Sequence, residues 1–279
     1  MTEEPGPGQK VLIALNGEKT GRADIADAVR CGKSVSQALL SLGFVSDFLW
    51  VKPFDFRKPN KLAETIAASG CICLFNLFEG FSKDASKEVV FAEILETAGI
   101  HFTGNPSRAL HNCLDKQHLK SILASKKIRT PRGLQIRQLS DLGRNNFSFP
   151  LFIKPCCEDA SVGIDSDSLV MNPAALAASI RRKIKKFPHG LIVEEFIPGL
   201  EVNVGLLGNP PYRVVGISHI DYVRFPDLSP FLSYASKWDE SSQEYKMILP
   251  QVYADGRPDF LVNVTGIARR AGEAAGCRG

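Results

Sequence analysis

Two segments in the second half of the chain place the strongest constraint on its fold. The first, Phe152 to Ile164 (FIKPCCEDASVGI), is a short apolar run that ends in Lys154 and opens into a loop of small and acidic residues. The second, Leu191 to Asn209, is an apolar strand that ends in paired glutamates, with a Pro-Gly turn and a new strand from Glu201. A lysine beside a small-residue loop suits a polyphosphate, and glutamates beside an exposed backbone edge suit a purine and a ribose. Together the segments predict a nucleoside triphosphate held between two sheets.

The N-terminal part of the sequence alternates predicted strands with predicted helices. The strands are predicted at 10–15, 45–51 and 71–77, and the helices at 24–42, 61–69 and 84–98. Such alternation predicts a parallel sheet that is covered by helices on both faces and binds ligands at the carboxyl ends of its strands. We therefore expect substrate at the loops that follow Leu15 and Asn76.

The pattern changes after residue 106. Helices are predicted at 106–126, 172–186 and 258–275, and strands at 134–137, 150–154, 191–195, 201–207 and 212–220. We divide the chain into a disordered N-terminus at 1–9, an α/β substrate-side domain at 10–107, a central subdomain at 108–190 and a C-terminal subdomain at 191–279.

Composition and charge exclude several classes of protein. The net charge of +4 is small, and basic and acidic residues are interleaved, so no nucleic-acid partner is expected. The apolar runs are far shorter than the ~20 residues that span a bilayer, and the acidic, Pro/Gly-rich start is not a signal peptide. We therefore expect a cytoplasmic protein without a membrane partner. The seven cysteines follow CxC and CC spacings, which predict neither a disulfide framework nor a zinc site.

The two opening segments resemble the ATP-grasp fold and, within it, the D-alanine–D-alanine ligase-like branch. Further segments in the order and spacing of that family are LFNLFEG at 74–80, LETAGIHFTGNPSRAL at 95–110, DKQHLKSIL at 115–123, RTPRG at 129–133, YASKWDE at 234–240 and the final AGCRG. The resemblance implies an α/β ATP-grasp enzyme that joins a carboxylate to an amine. ATP would phosphorylate the carboxylate to an acylphosphate, which the amine then attacks.

The resemblance also assigns nucleotide-binding residues. Lys154 and Lys116 would contact the phosphates from two sides. The Glu194 carboxylate would lie near the adenine amino group, and the ribose hydroxyls would bind Glu201. The adenine edge would meet the backbone of three consecutive residues, Glu195, Phe196 and Ile197.

Catalytic and substrate roles follow from the same resemblance. Ser161 and Lys237 would both contact the γ-phosphate. On the substrate side, Glu18 and Glu79 are candidates for the ammonium of an amino-acid-like substrate, together with Trp238. Three pairs or triplets depart from the family: Asp159-Ala160-Ser161 replaces Gly-Ser-Ser, Lys237-Trp238 replaces Lys-Tyr, and Glu79-Gly80 replaces His-Gly. These departures leave open whether D-alanine is the substrate. A homodimer is a possible assembly of the chain.

Relatives continue beyond the AGCRG-like segment with two strands that carry an arginine and the magnesium ligands. This sequence ends at Gly279, so we expect an incomplete C-terminal sheet and no metal ligands in the chain, although Mg²⁺ is expected of the family. The alternative function is then a nucleotide-binding pseudoenzyme or an inactive fragment. If the metal site were complete, its carboxylates would be sought among Asp221, Asp227, Asp239 and Glu240. A Rossmann-type oxidoreductase is disfavoured because LNGEKTGR, and no G-x-G-x-x-G, follows the first strand.

Overall fold

The structure is a computed structural model that describes residues 6–143, 147–222, 228–253 and 257–279. Its chain forms two compact units, one comprising Met1–His111 with Arg278–Gly279 and the other Asn112–Cys277. Of the predicted disordered segment 1–9, residues 1–5 lie outside the described residues, and the N–H of Gly8 donates to the Gly43 carbonyl at 2.8 Å. The domain boundaries near 107 and 190 stay predictions.

The predicted helices and strands appear in the predicted order with shifts at their ends, and the structure adds four short elements that were not predicted, at 169–170, 234–238, 243–247 and 251–252. The strands are β1 Lys10–Asn16, β2 Val45–Val51, β3 Cys71–Asn76, β4 Gly133–Ile136, β5 Leu151–Pro155, β6 Leu169–Val170, β7 Leu191–Glu195, β8 Glu201–Leu207, β9 Arg213–Ile220 and β10 Gln251–Val252. The helices are α1 Ala23–Ser41, α2 Pro59–Ala68, α3 Lys87–Thr97, α4 Ser107–Leu114, α5 Lys116–Ser125, α6 Pro173–Lys183, α7 Tyr234–Trp238, α8 Gln243–Met247 and α9 Pro258–Ala275.

The first unit contains a parallel sheet of order β2-β1-β3. Strand β1 lies in the centre and is almost entirely buried, because its apolar residues are covered on both faces. Ile13 and Leu15 of this strand are fully buried, and so is Phe91 of α3. The predicted parallel α/β arrangement of this part of the chain is confirmed.

The second unit contains two antiparallel sheets. The four-stranded sheet has the order β4-β7-β5-β6, and its core contains Ile136, Ile153 and Val193 together with Ile180 of α6. Strand β7 follows the predicted boundary near residue 190 but pairs on both sides with strands that precede it. The other sheet has the order β10-β9-β8.

Two local features of the second unit bear on the candidate site. The predicted helix 106–126 is broken at Asp115, whose carboxylate accepts hydrogen bonds from the N–H groups of Gln117 and His118 at 2.9 and 3.0 Å and so begins α5. The predicted ends of α9 are confirmed, and Gly276 ends it in the left-handed region with φ of 82°. No helix among the described residues is both long enough and apolar enough to cross a lipid bilayer.

Candidate nucleotide site

A cavity of about 340 Å³ lies where β7 ends and β8 begins. Aromatic and aliphatic side chains form most of its wall, and the rings of Phe152 and Phe231 meet edge to face with centroids 4.9 Å apart. The residues that line the cavity are Pro131, Phe152, Glu194, Glu195, Phe196, Ile197, Gly199, Leu200, Glu201, Tyr222, Pro230 and Phe231. The structure thus brings together the five residues between 194 and 201 to which the resemblance assigns the base and the ribose. An apolar cavity with a few polar groups is the usual form of a small-molecule site.

Glu194 is one of the residues that line this cavity, and its carboxylate lies between two lysines. Its Oε1 is 2.5 Å from the Nζ of Lys154, and its Oε2 is 2.7 Å from the Nζ of Lys120. The Lys120 ammonium also donates to the Pro131 carbonyl at 2.5 Å. Because Glu194 is buried, its carboxylate needs close partners, and the two ammonium groups provide them.

Lys120 is a residue that the sequence reasoning did not assign. The sequence contains a motif that includes it: Lys120 is the second lysine of the D-K-x-x-x-K segment and follows Lys116 by four positions on α5. Residues four apart lie on the same face of a helix. The spacing therefore places Lys116 and Lys120 on one side of α5.

Gly133 allows β4 to approach this ion-pair network closely. In the sheet it pairs with Glu194. A Cβ atom on Gly133 would lie 2.5 Å from both the Glu194 Cβ and the Val193 carbonyl oxygen. Only glycine fits between the strands at this position without displacing Glu194.

The backbone at the end of β7 is partly engaged within the protein. The N–H of Glu195 donates to the Arg132 carbonyl at 2.8 Å, and the N–H of Phe196 donates to the Pro150 carbonyl at 3.0 Å. The Ile197 side chain is exposed at the rim of the cavity. Of the three residues expected to read the adenine edge, two therefore already use their N–H groups to hold the strand end in place.

Tyr222 fixes the predicted ribose carboxylate. Its hydroxyl donates to the Oε2 of Glu201 at 2.7 Å. Burial raises the pKa of Tyr222, and the neighbouring Glu201 carboxylate raises it further, so the phenol stays protonated and keeps donating. No sequence motif indicates Tyr222, because twenty-one positions separate it from its partner.

The segment 156–164, here called the 156–164 loop, leaves the end of β5. Lys116 lies against its beginning, where its Nζ donates to the carbonyl of Glu158 and lies 3.5 Å from that of Cys156. Burial lowers the pKa of Lys116, and the positive charge of Lys154 lowers it as well, whereas Asp159 opposes the shift. The two lysines predicted for the phosphates are thus close enough to influence each other at one loop.

The tip of the 156–164 loop is held by the segment 232–238. The Ser161 hydroxyl donates to the Leu232 carbonyl at 3.1 Å, and the Trp238 indole N–H donates to the Ala160 carbonyl at 2.9 Å. Ala160 and Ser161 both have positive φ, 51° and 61°, which is unfavourable for residues with a Cβ. Lys237, the other predicted catalytic residue, has an exposed side chain on α7.

The end of the 156–164 loop is fixed by Lys183, which the sequence did not reveal. This buried lysine of α6 donates to the Gly163 carbonyl at 2.8 Å and pairs with Asp165 at 2.6 Å. Gly163 has a φ of 76°, and a Cβ there would lie 2.5 Å from the Phe187 ring. Lysines therefore hold both ends of the loop through its carbonyl groups.

Among the residues that the structure describes, one group of three candidate metal ligands lies together. It consists of Asp115, Cys156 and Cys157, whose ligand atoms are all within 4.8 Å of one another. Burial would raise the pKa of Asp115, but hydrogen bonds from the His118 N–H, the Cys156 thiol and the Gln117 N–H outweigh it and lower the pKa. Mg²⁺ prefers oxygen ligands, so this thiol-rich group does not fit it. Of the other carboxylates considered, Asp227 lies outside the described residues, and Asp239 accepts hydrogen bonds from the backbone and hydroxyl of Ser241.

In the first unit, the loops that follow β1 and β3 contact each other. The Asn16 amide donates to the Gly80 carbonyl at 2.8 Å, and the Ser82 N–H donates to the Glu18 carboxylate at 2.7 Å. Glu18 is thus fixed at the carboxyl ends of the parallel strands, whereas the Glu79 side chain is exposed. Their roles toward a substrate stay predictions.

Comparison with solved structures shows the fold. A D-alanine–D-alanine ligase from Bacillus anthracis complexed with ATP matches with a TM-score of 0.70 and 16% identity, over 97% of this chain and 79% of the other. The VanG D-Ala:D-Ser ligase from Enterococcus faecalis matches with a TM-score of 0.69 and 18% identity, over 97% and 84%. The predicted ATP-grasp fold is confirmed.

Comparison of sequences shows the family. D-alanine–D-alanine ligase from Pelagibacter ubique is 27% identical over 281 aligned positions, which cover 97% of this chain and 81% of that protein. The corresponding enzyme from Syntrophotalea carbinolica is 28% identical over 276 positions, covering 97% and 79%. The family model for the D-ala D-ala ligase C-terminus matches residues 132–279, the part that contains the cavity and the 156–164 loop. The chain therefore belongs to the D-alanine–D-alanine ligase family of ATP-grasp enzymes.

Proposed function

We propose that this chain is an ATP-dependent carboxylate–amine ligase that binds ATP in the cavity at the end of β7, with its phosphates beside the 156–164 loop. The observation that carries the proposal is the position of Lys154. Its ammonium lies at the junction of the apolar cavity and the loop, paired with Glu194 at 2.5 Å and within electrostatic reach of Lys116. An apolar pocket adjoining two cationic side chains suits a base joined to a polyphosphate.

The cavity supplies contacts for the adenine and the ribose. The rings of Phe152, Phe196 and Phe231 offer apolar surface to a purine. The N–H groups of Glu195 and Phe196 hold the strand end, which leaves the backbone of Ile197 at the rim as the donor that we assign to the adenine edge. Glu201 accepts from Tyr222 and has a further oxygen for a ribose hydroxyl, because a carboxylate can accept several hydrogen bonds.

The lysines supply the charge for the phosphates. Lys116 donates to the Glu158 carbonyl, and Lys154 donates to Glu194. Phosphate oxygens are stronger acceptors than a carbonyl, so Lys116 gains by exchanging its partner when ATP arrives. We assign Ser161 and Lys237 to the γ-phosphate, which requires the Ser161 hydroxyl to leave the Leu232 carbonyl.

The proposed chemistry has two steps. A substrate carboxylate oxygen attacks the γ-phosphorus of ATP, the bond to the bridging oxygen breaks, and ADP and an acylphosphate form. The amine of the second substrate then attacks the acyl carbon, and inorganic phosphate leaves as the C–N bond forms. The protein contributes positioning and positive charge rather than a nucleophile.

The substrates that we propose are small and amino-acid-like, with Glu18 and Glu79 as candidate partners of an ammonium group and Trp238 as a further candidate contact. Mg²⁺ supplies charge neutralisation in phosphoryl transfer when it is bound. The group formed by Asp115, Cys156 and Cys157 does not suit it, so we assign no residue to Mg²⁺.

Binding and turnover test the proposal separately. Lys154→Ala should weaken ATP binding by about 1.5–3 kcal/mol, roughly 10- to 150-fold, because a charge-assisted contact is lost, and should change adenosine binding little. Lys186→Ala, an exposed lysine of the same unit, is the control. Equal losses for ATP and adenosine in calorimetry would contradict the phosphate assignment. ADP release that depends on an amino-acid mixture would support the ligase, whereas ATP binding without ADP release would favour a nucleotide-binding protein without turnover.

A further inference from the structure

The group formed by Asp115, Cys156 and Cys157 is not used in the proposed ligase reaction. The Cys156 thiol donates to the Oδ1 of Asp115 at 3.4 Å, and the Cys157 thiol lies within 4.8 Å of both. Cys156 is fully buried, whereas Asp115 and Cys157 are partly exposed. Two adjacent thiols and a carboxylate thus converge at a point that a small ion can reach from one side.

We propose that Asp115, Cys156 and Cys157 form a binding site for a thiophilic divalent cation, represented by Zn²⁺. Thiolates favour soft or borderline metals, and Zn²⁺ accepts mixed sulfur and oxygen ligands in a tetrahedral arrangement. The ligand atoms lie within 4.8 Å of one another, so small side-chain rotations suffice for Zn–S bonds of about 2.3 Å and a Zn–O bond of about 2.0–2.2 Å. Two Zn–S bonds form as two thiol protons leave to solvent, without any change of oxidation state, and a water molecule takes the fourth position.

The charge of the complex matches its surroundings. Two thiolates, one carboxylate and one divalent cation carry a net charge of minus one. The Lys116 ammonium lies beside this point, 3.5 Å from the Cys156 carbonyl oxygen, and would stabilise such an anionic complex. Mg²⁺ is a hard cation that prefers oxygen ligands, so two sulfur ligands would not increase its affinity. The proposed site is therefore selective for thiophilic metals over Mg²⁺.

The cap of α5 is compatible with metal binding. The Oδ1 of Asp115 accepts from Gln117 and His118, but a carboxylate has two oxygens and about four acceptor positions. The same turn contains an unsatisfied acceptor, because the buried side-chain oxygen of Gln117 has no hydrogen-bond partner among the described residues. A metal-bound water is a donor of the kind that this oxygen requires.

Occupancy of the site would link the start of the 156–164 loop to the beginning of α5. Cys156 and Cys157 open the loop, and Asp115 starts the helix. A cation bonded to all three would restrict the opening of the loop with or without a nucleotide. This effect does not rest on the proposed ligase activity, so the failure of either proposal can be recognised without the other.

Cobalt titration of the reduced full chain tests the site directly, because Co²⁺ replaces Zn²⁺ and shows a thiolate-to-metal charge-transfer absorption. We expect one Co²⁺ per chain with two thiolates, displaced by Zn²⁺. Cys157→Ser should weaken Zn²⁺ by more than about 100-fold, since even outer partners of a metal site are worth about 10- to 100-fold. Asp115→Asn should also weaken it while keeping the helix cap, because asparagine caps as well as aspartate.

Cys277→Ser is the matched control, because Cys277 is a free cysteine as partly buried as Cys157 and lies outside the proposed site. Loss of the cobalt absorption in Cys277→Ser but not in Cys157→Ser would overturn the proposal, and so would binding without thiolate absorption. Amide exchange gives an independent readout. Zn²⁺ should slow exchange at 156–162 in the wild type and not in Cys157→Ser, and protection confined to other segments would also overturn the assignment.

Discussion

The cavity and the 156–164 loop adjoin each other but are held in place in different ways. The cavity residues of β7 belong to a strand that pairs with β4 on one side and β5 on the other, so a ladder of backbone hydrogen bonds fixes them. The tip of the loop is held by single hydrogen bonds to carbonyl groups, from Trp238 and from Ser161. Each bond of that kind contributes about 0.5–1.5 kcal/mol. The candidate site therefore combines a half held by a continuous ladder with a half held by fewer bonds, and we expect the loop to be the part that opens for nucleotide exchange.

Charge is also distributed differently between the two regions. In the cavity, the buried Glu194 carboxylate pairs directly with both Lys154 and Lys120. At the start of the loop, Lys116 donates to the Glu158 carbonyl, which carries only partial charge, whereas Lys183 at the other end also pairs with the Asp165 carboxylate. The lysine at the start of the loop can therefore change partners at lower cost than the cavity lysines, whose carboxylate would be left buried and uncompensated.

We expect Glu194→Ala to cause the largest loss of stability, because it removes the ion pairs of the cavity. Removal of the carboxylate leaves two partly buried ammonium groups without their partner, and breaking a buried pair in this way costs about 3–5 kcal/mol. We expect about 3 kcal/mol in the free energy of unfolding by urea, near the lower limit, since a quarter of the Lys154 side chain is exposed and can be hydrated. Glu195→Ala, at the next position of β7 but less buried, is the control and should change stability by less than about 0.5 kcal/mol. Equal losses in the two variants would show that the ion pairs do not stabilise the cavity.

The sequence predicted the strands of the cavity well because their apolar runs are short and end at clear breaks. Strand β8 begins and ends at the predicted residues, and β7 does too. The sheet to which β7 belongs could not be predicted in this way. Its register depends on side chains from β4 and β5, which are distant in sequence, and an alternating pattern does not identify the partner strand.

Gly133→Ala tests how closely the strands beside Glu194 are packed. The added methyl group would lie 2.5 Å from the Glu194 Cβ and the Val193 carbonyl, so β4 must move away from β7. Overpacking of this kind costs about 1–3 kcal/mol in the free energy of unfolding. Gly216→Ala in β9, where no atom lies within 4 Å of the new Cβ, is the matched control. If thermal and urea unfolding do not separate the two variants, the close approach at Gly133 is not a constraint on the fold.

The candidate site was less predictable than the fold because several of its contacts join residues that are far apart in sequence. Lys116, Lys154 and the 194–201 segment are assigned from local motifs, and their roles stay predictions. Tyr222 and Lys183 carry no motif, and their roles depend on where β9 and α6 bring them. The bond from Trp238 to Ala160 spans seventy-eight positions and could be seen only in the folded chain.

Trp238→Phe is the smallest and most local of the expected effects. Phenylalanine keeps an aromatic ring but removes the indole N–H that donates to the Ala160 carbonyl at 2.9 Å. The loop tip is already unfavourable, because Ala160 and Ser161 have positive φ, so one lost hydrogen bond should shift the loop toward its open form. A loss of about 1 kcal/mol corresponds to roughly fivefold faster amide exchange at 157–163, with little change in global unfolding because the strands of the cavity are untouched. Trp50→Phe in β2 provides the control, since Trp50 is the other tryptophan of the chain and lies in the first unit. Two outcomes would contradict the distinction between a rigid cavity and a loop held by single bonds. One is unchanged amide exchange at the loop in Trp238→Phe, and the other is a loss of global stability as large as that of Glu194→Ala.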